Sequence, residues 1–257
     1  MRRYKVALFR LLLAAAILGA WQYASGRLVE EIFISSPVLV AQRLVELFRT
    51  GEILVHLRAT VTAVVEGYVT GAIIGVALGF ATGRSETLSQ TIEPFLMAFY
   101  SIPKMALAPL FVIWLGIGLA SKVAIVFISV FFLTFFNTYA GVKGVNEDLI
   151  NIARIMRASR WRVLRGVILP AAMPSIMLGL RMGLPYGIIG AFVGEFIASN
   201  KGIGYFILYS SSVFDSTGVF AGVFTLLALV VLANWGLGRL EAWLVRWKPA
   251  QDTGIAI

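Results

Sequence analysis

Four ionisable side chains lie within or beside long apolar stretches of the sequence: Glu66, Lys104, Arg181 and Glu195. A charged group is costly in hydrocarbon, so each of them should face a bundle interior, a cavity or an interface. They are therefore the candidates for a polar pathway through an otherwise apolar protein. Arg181 and Glu195 are 14 positions apart, which is about 21 Å along a helix, so they cannot pair directly.

Two of these residues have structural roles as alternatives to ligand contact. Glu195 precedes Ala198-Ser199-Asn200. It either lies at the outer mouth of a pathway or serves as a structural acceptor for the backbone or for Lys201. The sequence favours neither reading. Lys104 follows Pro103, and we expect it to extend towards water or to cap the carbonyls that the proline leaves free, rather than to bind ligand.

The sequence contains no recognisable catalytic site. It has no HExxH, no P-loop, no nucleophile elbow and no cysteine, and no span holds a cluster of carboxylates. The single histidine, His56, is expected near the external surface as an ordinary solvated residue. We therefore predict no catalytic residue, no metal site and no cofactor in this chain. An enzyme with a buried lipid site would need a cluster that the sequence lacks.

Composition places the chain in a membrane. Of its 257 residues 59% are hydrophobic and 14% are charged, and the mean hydropathy is +0.88, far above an ordinary soluble domain. The net charge of +9 does not indicate nucleic-acid binding, because an excess of Lys and Arg is normal on the cytoplasmic loops of membrane proteins.

Six stretches are long and apolar enough to cross a bilayer as helices, roughly residues 6–25, 59–82, 93–118, 122–141, 172–198 and 218–245. With both termini cytoplasmic, the inner segments carry 13 Lys and Arg and the outer segments carry 6, which fits the positive-inside rule. The first stretch also has the form of a signal peptide, but the further spans favour an uncleaved transmembrane helix.

Local signals add detail to three of these regions. Ser36-Pro37 and Gly51 predict the start and end of an amphipathic helix lying on the outer membrane surface. Pro103 and Pro109 interrupt the third span, which favours a helix that lines a pathway. The second and fifth spans carry glycines at intervals of four, which predict close helix packing: Gly67, Gly71, Gly75, Gly79, Gly83, and then Gly179, Gly183 and Gly187.

A basic loop follows the fourth span, with five arginines between positions 154 and 165. Asn146 can cap a helix that runs to about Arg157, Ser159 can cap a second short helix, and Pro170 is expected to interrupt the chain before the fifth span. The mixed apolar and basic surface could lie on anionic lipid headgroups or dock into a groove of a cytoplasmic protein. Physics alone leaves these two interpretations equal.

Three segments carry a resemblance to a known family. The runs ARIMRASRW (153–161) and VILPAAMP (167–174) resemble the EAA loop of permease subunits of binding-protein-dependent ABC importers. SIPKMALAPLFVIWLGIG (101–118) and GEFIASNKGIGYFI (194–207) are similar to segments of the nitrate, sulfonate and taurine branch. The resemblance covers residues 35–248, in the order and at the span ends expected of the family.

The resemblance implies an all-α polytopic membrane protein with about six transmembrane helices and the type I importer permease fold, like the methionine permease. It implies residues 1–57 as a first helix and external amphipathic helix, 58–248 as the permease core with its coupling loop at 142–170, and 249–257 as a flexible tail. In the family the loop inserts into a cleft of an ATPase. The implied coupling residues are Asn151, Ile152, Ala153, Arg154, Met156, Arg157, Ala158, Ser159, Arg160, Trp161, Leu169 and Pro170.

The same resemblance implies the partners. They are a second copy of the permease, two cytoplasmic ATPase subunits that bind ATP and Mg²⁺, and an extracytoplasmic solute-binding protein. The permease itself would lie in the cytoplasmic (inner) membrane. The solute would be a small anion such as a sulfonate, taurine or nitrate, although similar permeases carry pyrimidine vitamin precursors or riboflavin-like compounds. The alternative from another class is an ion-coupled secondary transporter or channel with Glu66 and Glu195 as coupling acids.

The loop departs from the family pattern at two places. Asn151-Ile152 stand where Glu-Ala is usual, which puts in doubt an acidic contact with the ATPase. Arg157 stands where glycine is usual, and we expect it to add a positive charge and to stiffen the helix.

Overall fold

The computed structural model describes residues 2–244 of the chain, so the expected tail 249–257 lies outside the described residues. The described part is helical, with no strand in it. Its helices are α1 (Arg2–Ala24), α2 (Glu31–Ile34), α3 (Pro37–Thr50), α4 (Glu52–Arg84), α5 (Glu86–Ser101), α6 (Ala108–Leu115), α7 (Leu119–Lys143), α8 (Glu147–Ile155), α9 (Arg160–Val163), α10 (Leu169–Ile197), α11 (Ile203–Ser212) and α12 (Ser216–Leu244).

Five helical stretches are long and apolar enough to cross a membrane. They are α1, α4, α7, the stretch that contains α9 and α10, and α12, and a sixth span exists if the bent pair of α5 and α6 is counted as one. The all-α fold with about six spans is confirmed. The end of the bundle that carries residues 144–168 is called the loop end, and the end where α4 and α7 begin is called the far end.

The third expected span is not a straight helix. α5 and the segment Lys104–Leu115 meet at an angle of 82°. Pro103 has no N–H to continue α5, whereas Pro109 lies in the first turn of α6, where its missing N–H has no helical partner to lose. The expected interruption of the third span therefore occurs at Pro103 but not at Pro109, and Lys104 begins a short 3₁₀ turn between the two halves.

The amphipathic helix forms as predicted, but its apolar face packs on protein. Ser36 Oγ accepts a hydrogen bond from the Leu39 N–H at 3.4 Å, and Gly51 ends α3 with a left-handed φ of 77°. Leu47 is fully buried in a cluster with residues of α11 and α12. The helix thus has a protein partner in α11, which the sequence did not predict, while its position on the outer membrane surface stays a prediction.

Helix α7 lies at the centre, between α4 and α10. The glycines of α4 face it so closely that a Cβ at Gly71 would lie 2.8 Å from the carbonyl oxygen of Phe127. On α10, a Cβ at Gly179 would lie 2.8 Å from Cβ of Asn137, and one at Gly187 would lie 3.0 Å from Val130. Both glycine stripes therefore serve contact with α7.

Helices α9 and α10 form one continuous stretch. A π-helical turn, Leu164–Ile168, joins them without a break. Pro170 lies in the first turn of α10 and does not interrupt the chain, so that expectation is wrong. A π turn shifts the hydrogen-bond register by one residue, which is how helices accommodate a local mismatch.

Coupling loop and candidate transport pathway

Helix α8 presents apolar side chains that the chain itself does not cover. Asn146 Oδ1 accepts from the Asp148 N–H at 2.8 Å and caps the helix. Beyond that cap, Ile152, Ile155 and Met156 are 54%, 81% and 78% exposed. Ala153 is half-buried in a cluster that joins the loop to α7 and α10. The helix is thus fixed on one side and open on the other.

A tight turn joins α8 to α9, and Arg157 occupies its left-handed position. Its φ is 57°, its N–H donates to the Arg154 carbonyl at 2.9 Å, and the Ala158 N–H donates to the Ala153 carbonyl at 3.0 Å. These two bonds define a Schellman motif, whose left-handed residue is usually glycine. Arg157 therefore ends α8 and does not extend it, which corrects the expectation of a stiffer helix.

Replacing Arg157 by glycine is expected to stabilise this turn. A left-handed residue with a Cβ costs about 1–2 kcal/mol, of which the greater freedom of unfolded glycine offsets about 0.5–1 kcal/mol. Hydrogen exchange of the Arg157 and Ala158 amides should slow by a few-fold in the purified Arg157→Gly permease. Arg157→Ala removes the charge but keeps the Cβ, and its exchange should match the unmodified chain. Equal exchange in all three would contradict the assignment of strain.

The second half of the loop is also capped and open. Ser159 Oγ accepts from the Arg162 N–H at 3.4 Å, Trp161 is 57% exposed, and Arg165 lies over its ring at 4.3 Å. Asn151, Arg154, Ser159 and Arg160 are exposed as well, whereas Ala158, Leu169 and Pro170 are half-buried. Leu169 and Pro170 belong to α10, so they support the loop and do not form its open surface.

The helical stretch that carries the second half of the loop is longer than a bilayer requires. Residues 160–197 form 38 residues of continuous helical chain, which is about 57 Å at 1.5 Å per residue, against about 30 Å of hydrocarbon. Charged groups are costly in hydrocarbon, so the end that carries Arg160, Arg162 and Arg165 is the end expected outside it. Exposed apolar side chains at this position face water in the isolated chain, which is typical of a surface that another protein covers.

The four expected pathway residues do not converge. Glu195 is fully buried and accepts hydrogen bonds from Thr60 Oγ1 at 2.8 Å and from the Gly204 N–H at 2.9 Å. It accepts a hydrogen bond from the backbone, as in the second of the two readings. Arg181 forms an ion pair with Glu241 at 3.0 Å.

Lys104 and Glu66 lie elsewhere. Lys104 Nζ donates to the Tyr100 carbonyl at 2.8 Å and lies over the Tyr100 ring, so it caps the end of α5. Glu66 is exposed and lines a groove between α4 and the first turns of α7. Of the four expected residues, Glu66 alone lines one of the cavities described here. The sequence gives no role to Arg58, Lys122 and Lys201 beyond the count of basic residues in the outer segments, although the structure gathers all three around one cavity at the far end.

Comparison with known proteins defines the class. Residues 53–246 match the family model of the binding-protein-dependent transport system inner membrane component. The chain belongs to this family and is the membrane-spanning permease subunit of a binding-protein-dependent ABC importer. Family membership favours the ATP-driven importer over the ion-coupled alternative.

Individual relatives differ in the solute that their names state. The chain is 31% identical to the putative aliphatic sulfonates transport permease protein SsuC of Bacillus subtilis, over 94% of this chain and 88% of that protein. It is 30% identical to the taurine transport system permease protein TauC of Escherichia coli, over 91% and 87%. It is 37% identical to the riboflavin transport system permease protein RibX of Chloroflexus aurantiacus, over 84% and 81%.

The fold has a solved counterpart in an inward-facing structure of the MetNI methionine ABC transporter. The superposition has a TM-score of 0.60 at 19% identity and covers 73% of this chain and 92% of the other. At this identity the likeness establishes the permease fold alone.

Proposed function

We propose that this chain forms a homodimer in the cytoplasmic (inner) membrane and imports a small anionic solute, such as a sulfonate, taurine or nitrate. A soluble binding protein delivers the solute at the far end. Two separate ATPase subunits, which bind ATP and Mg²⁺, dock at the loop end. In this orientation the basic loop, the ATPases and both termini of the chain lie on the cytoplasmic side. The names of the sulfonate and taurine relatives support the choice of solute.

The open apolar surface of the loop carries this proposal. Ile155, Met156 and Trp161 are exposed on a loop that α7 and α10 support from behind, at the end expected outside the hydrocarbon. An amphipathic helix that presents such residues fits a groove in a partner protein. Closure of the two ATPases would then draw the two loops together, and the permease would change shape without carrying a catalytic residue.

Met156→Asp and Trp161→Asp test the docking. Both side chains are exposed, so the permease should fold normally. A tenfold change in affinity corresponds to about 1.4 kcal/mol. Burying a carboxylate without a partner in an apolar cleft costs more than this, so each variant should bind the ATPase at least about tenfold more weakly. The measurement is co-purification of the ATPase with the tagged permease from native membranes.

Thr87→Asp is the matched control, because Thr87 is an exposed residue in the first turn of α5 at the same end of the bundle. It should retain the ATPase. Undiminished co-purification with both loop variants, or equal loss with Thr87→Asp, would count against docking at this surface.

A further inference from the structure

A cavity at the far end is lined by positive charge from three separate elements. It lies where α4 begins, where α7 begins and where the chain leaves α10. Arg58 comes from α4, Lys122 from α7, and Lys201 from the segment after α10. No acidic side chain lines this cavity.

Two of these cations, Arg58 and Lys201, form no ion pair within the described residues, whereas Lys122 interacts electrostatically with the buried carboxylate of Glu195. Within residues 2–244 the ion pairs are Arg43–Glu46 and Arg181–Glu241, so neither Arg58 nor Lys201 has a carboxylate within ion-pair distance. Lys122 is 6% exposed, and its Nζ donates to Ser199 Oγ at 2.6 Å and to the Lys201 carbonyl at 3.0 Å. Lys122 thus fixes the wall of the cavity, whereas Arg58 and Lys201 are exposed to a ligand.

Polar groups around these cations complete an environment for an oxyanion. Ser199, Asn200 and Thr62 line the same cavity. Helix α7 also begins here at Leu119, after Gly118, and no side chain caps it. Its free first-turn N–H groups and the positive end of its dipole add to the potential that the three side chains create.

The remaining wall is apolar and suits an organic substituent. Val55 and Ala59 of α4 and Ile117 and Leu119 beside the start of α7 line the cavity. Arg58 can donate two parallel hydrogen bonds to one oxyanion group, a geometry that ammonium groups do not offer. The combination fits a small molecule with an oxyanion at one end and an apolar part at the other.

A polar stripe leads from this cavity along α4. Arg58, Thr62, Glu66 and Thr70 recur at intervals of four on its surface, and the groove that Glu66 lines shares Leu119 with the cavity. Charged residues on a membrane helix are costly against lipid and face a polar space or a partner. The cavity therefore lies at one end of a surface that is unsuited to lipid.

We propose that this cavity binds a small organic sulfonate or a comparable oxyanion, with Arg58 and Lys201 as its charge contacts. This inference rests on the proposed function, since it identifies the first site in the permease that an anionic solute would meet. It also gives the chain a preference for anions over the neutral solutes named for some of its relatives.

Binding of methanesulfonate to the purified full-length permease tests the site. Thermal unfolding in detergent, followed by tryptophan fluorescence, is measured against sodium methanesulfonate, with sodium chloride making up a constant ionic strength. The midpoint should rise saturably. Losing a charge-assisted contact should weaken the apparent affinity by about tenfold in Arg58→Gln or Lys201→Gln.

Arg49→Gln is the matched control, because Arg49 is exposed at the same end but outside the cavity. Its affinity should equal that of the unmodified chain. A midpoint that does not saturate, or equal weakening in Arg49→Gln, would show an adventitious ion effect only and overturn the proposal. The ATPase is absent from this assay. If methanesulfonate does not bind while Met156→Asp still loses the ATPase in the co-purification experiment, the anion site is rejected and docking of the ATPase is not.

Discussion

Replacing Gly79 by alanine should destabilise the permease, whereas the same replacement at Gly236 should not. A Cβ at Gly79 would lie 2.6 Å from the Phe135 carbonyl oxygen and 2.9 Å from Cβ of Thr138. The first of these atoms belongs to the backbone of α7, so relief requires the two helices to move apart. Overpacking of this kind typically costs about 1–3 kcal/mol. Here it disturbs the close packing of α4 against α7.

Gly236 provides the control, because its replacement by alanine is expected to change the stability in the opposite direction or not at all. It lies within α12, and nothing is within 4 Å of a Cβ placed there. Alanine favours helix over glycine by about 1 kcal/mol, so Gly236→Ala should match or slightly exceed the unmodified chain. The measurement is the thermal unfolding midpoint of both variants in the same detergent. Shifts of equal sign and size would show that steric contact with α7 does not govern stability.

Replacing Glu195 by alanine is the second change with a large expected effect. The carboxylate is fully buried, and it accepts from Thr60 Oγ1 and from the Gly204 N–H. Its removal leaves the Gly204 N–H without an acceptor in a closed site, at about 1–3 kcal/mol, whereas Thr60 Oγ1 keeps the His56 carbonyl at 3.2 Å. It also creates a cavity, at about 2 kcal/mol or more. We expect a loss of at least about 3 kcal/mol in the free energy of unfolding.

The turn after α10 should loosen first in this variant. Gly202 lies against the Glu195 carboxylate with a φ of 125°, a conformation that suits glycine, and its N–H donates to His56 Nδ1 at 3.2 Å. Limited proteolysis should cut near Asn200 faster in Glu195→Ala. Glu66→Ala, which removes an exposed carboxylate, is the control and should leave the cutting rate unchanged. An unaltered rate in Glu195→Ala would mean that the carboxylate does not hold the turn.

Features of the fold with a local cause could be predicted from the sequence. The cap at Ser36 and the stop at Gly51 act within a few residues, and both occur as expected. The same holds for Asn146 and Ser159, which cap the two loop helices. Long apolar runs likewise indicated the spans, because hydrocarbon requires about 20 apolar residues of helix.

Features with a distant cause could not be predicted. A glycine stripe indicates that a helix comes close, but it does not name the neighbour, and α7 emerged as the common partner only in the structure. Arg181 pairs with Glu241, 60 positions away. Glu195 meets Thr60, 135 positions away. Two prolines indicated a break in the third span, yet they did not determine its 82° bend.

The cation-lined cavity escaped prediction for the same reason. Arg58, Lys122 and Lys201 lie in separate segments. In the sequence they contribute only to the number of basic residues on the outer side, from which the membrane orientation is predicted. The coupling surface was easier to predict, because its residues are nearly consecutive and resemble a known loop.

The continuous helical stretch from Arg160 to Ile197 has a mechanical consequence. It joins the loop at one end to the segment that carries Lys201 at the other, so it can act as a lever. For a lever of about 57 Å, a tilt of about 10° around its midpoint moves each end by about 5 Å in opposite directions. Pressure on the loop would thus displace one wall of the distant cavity, with no need for a chain of small side-chain rearrangements in between.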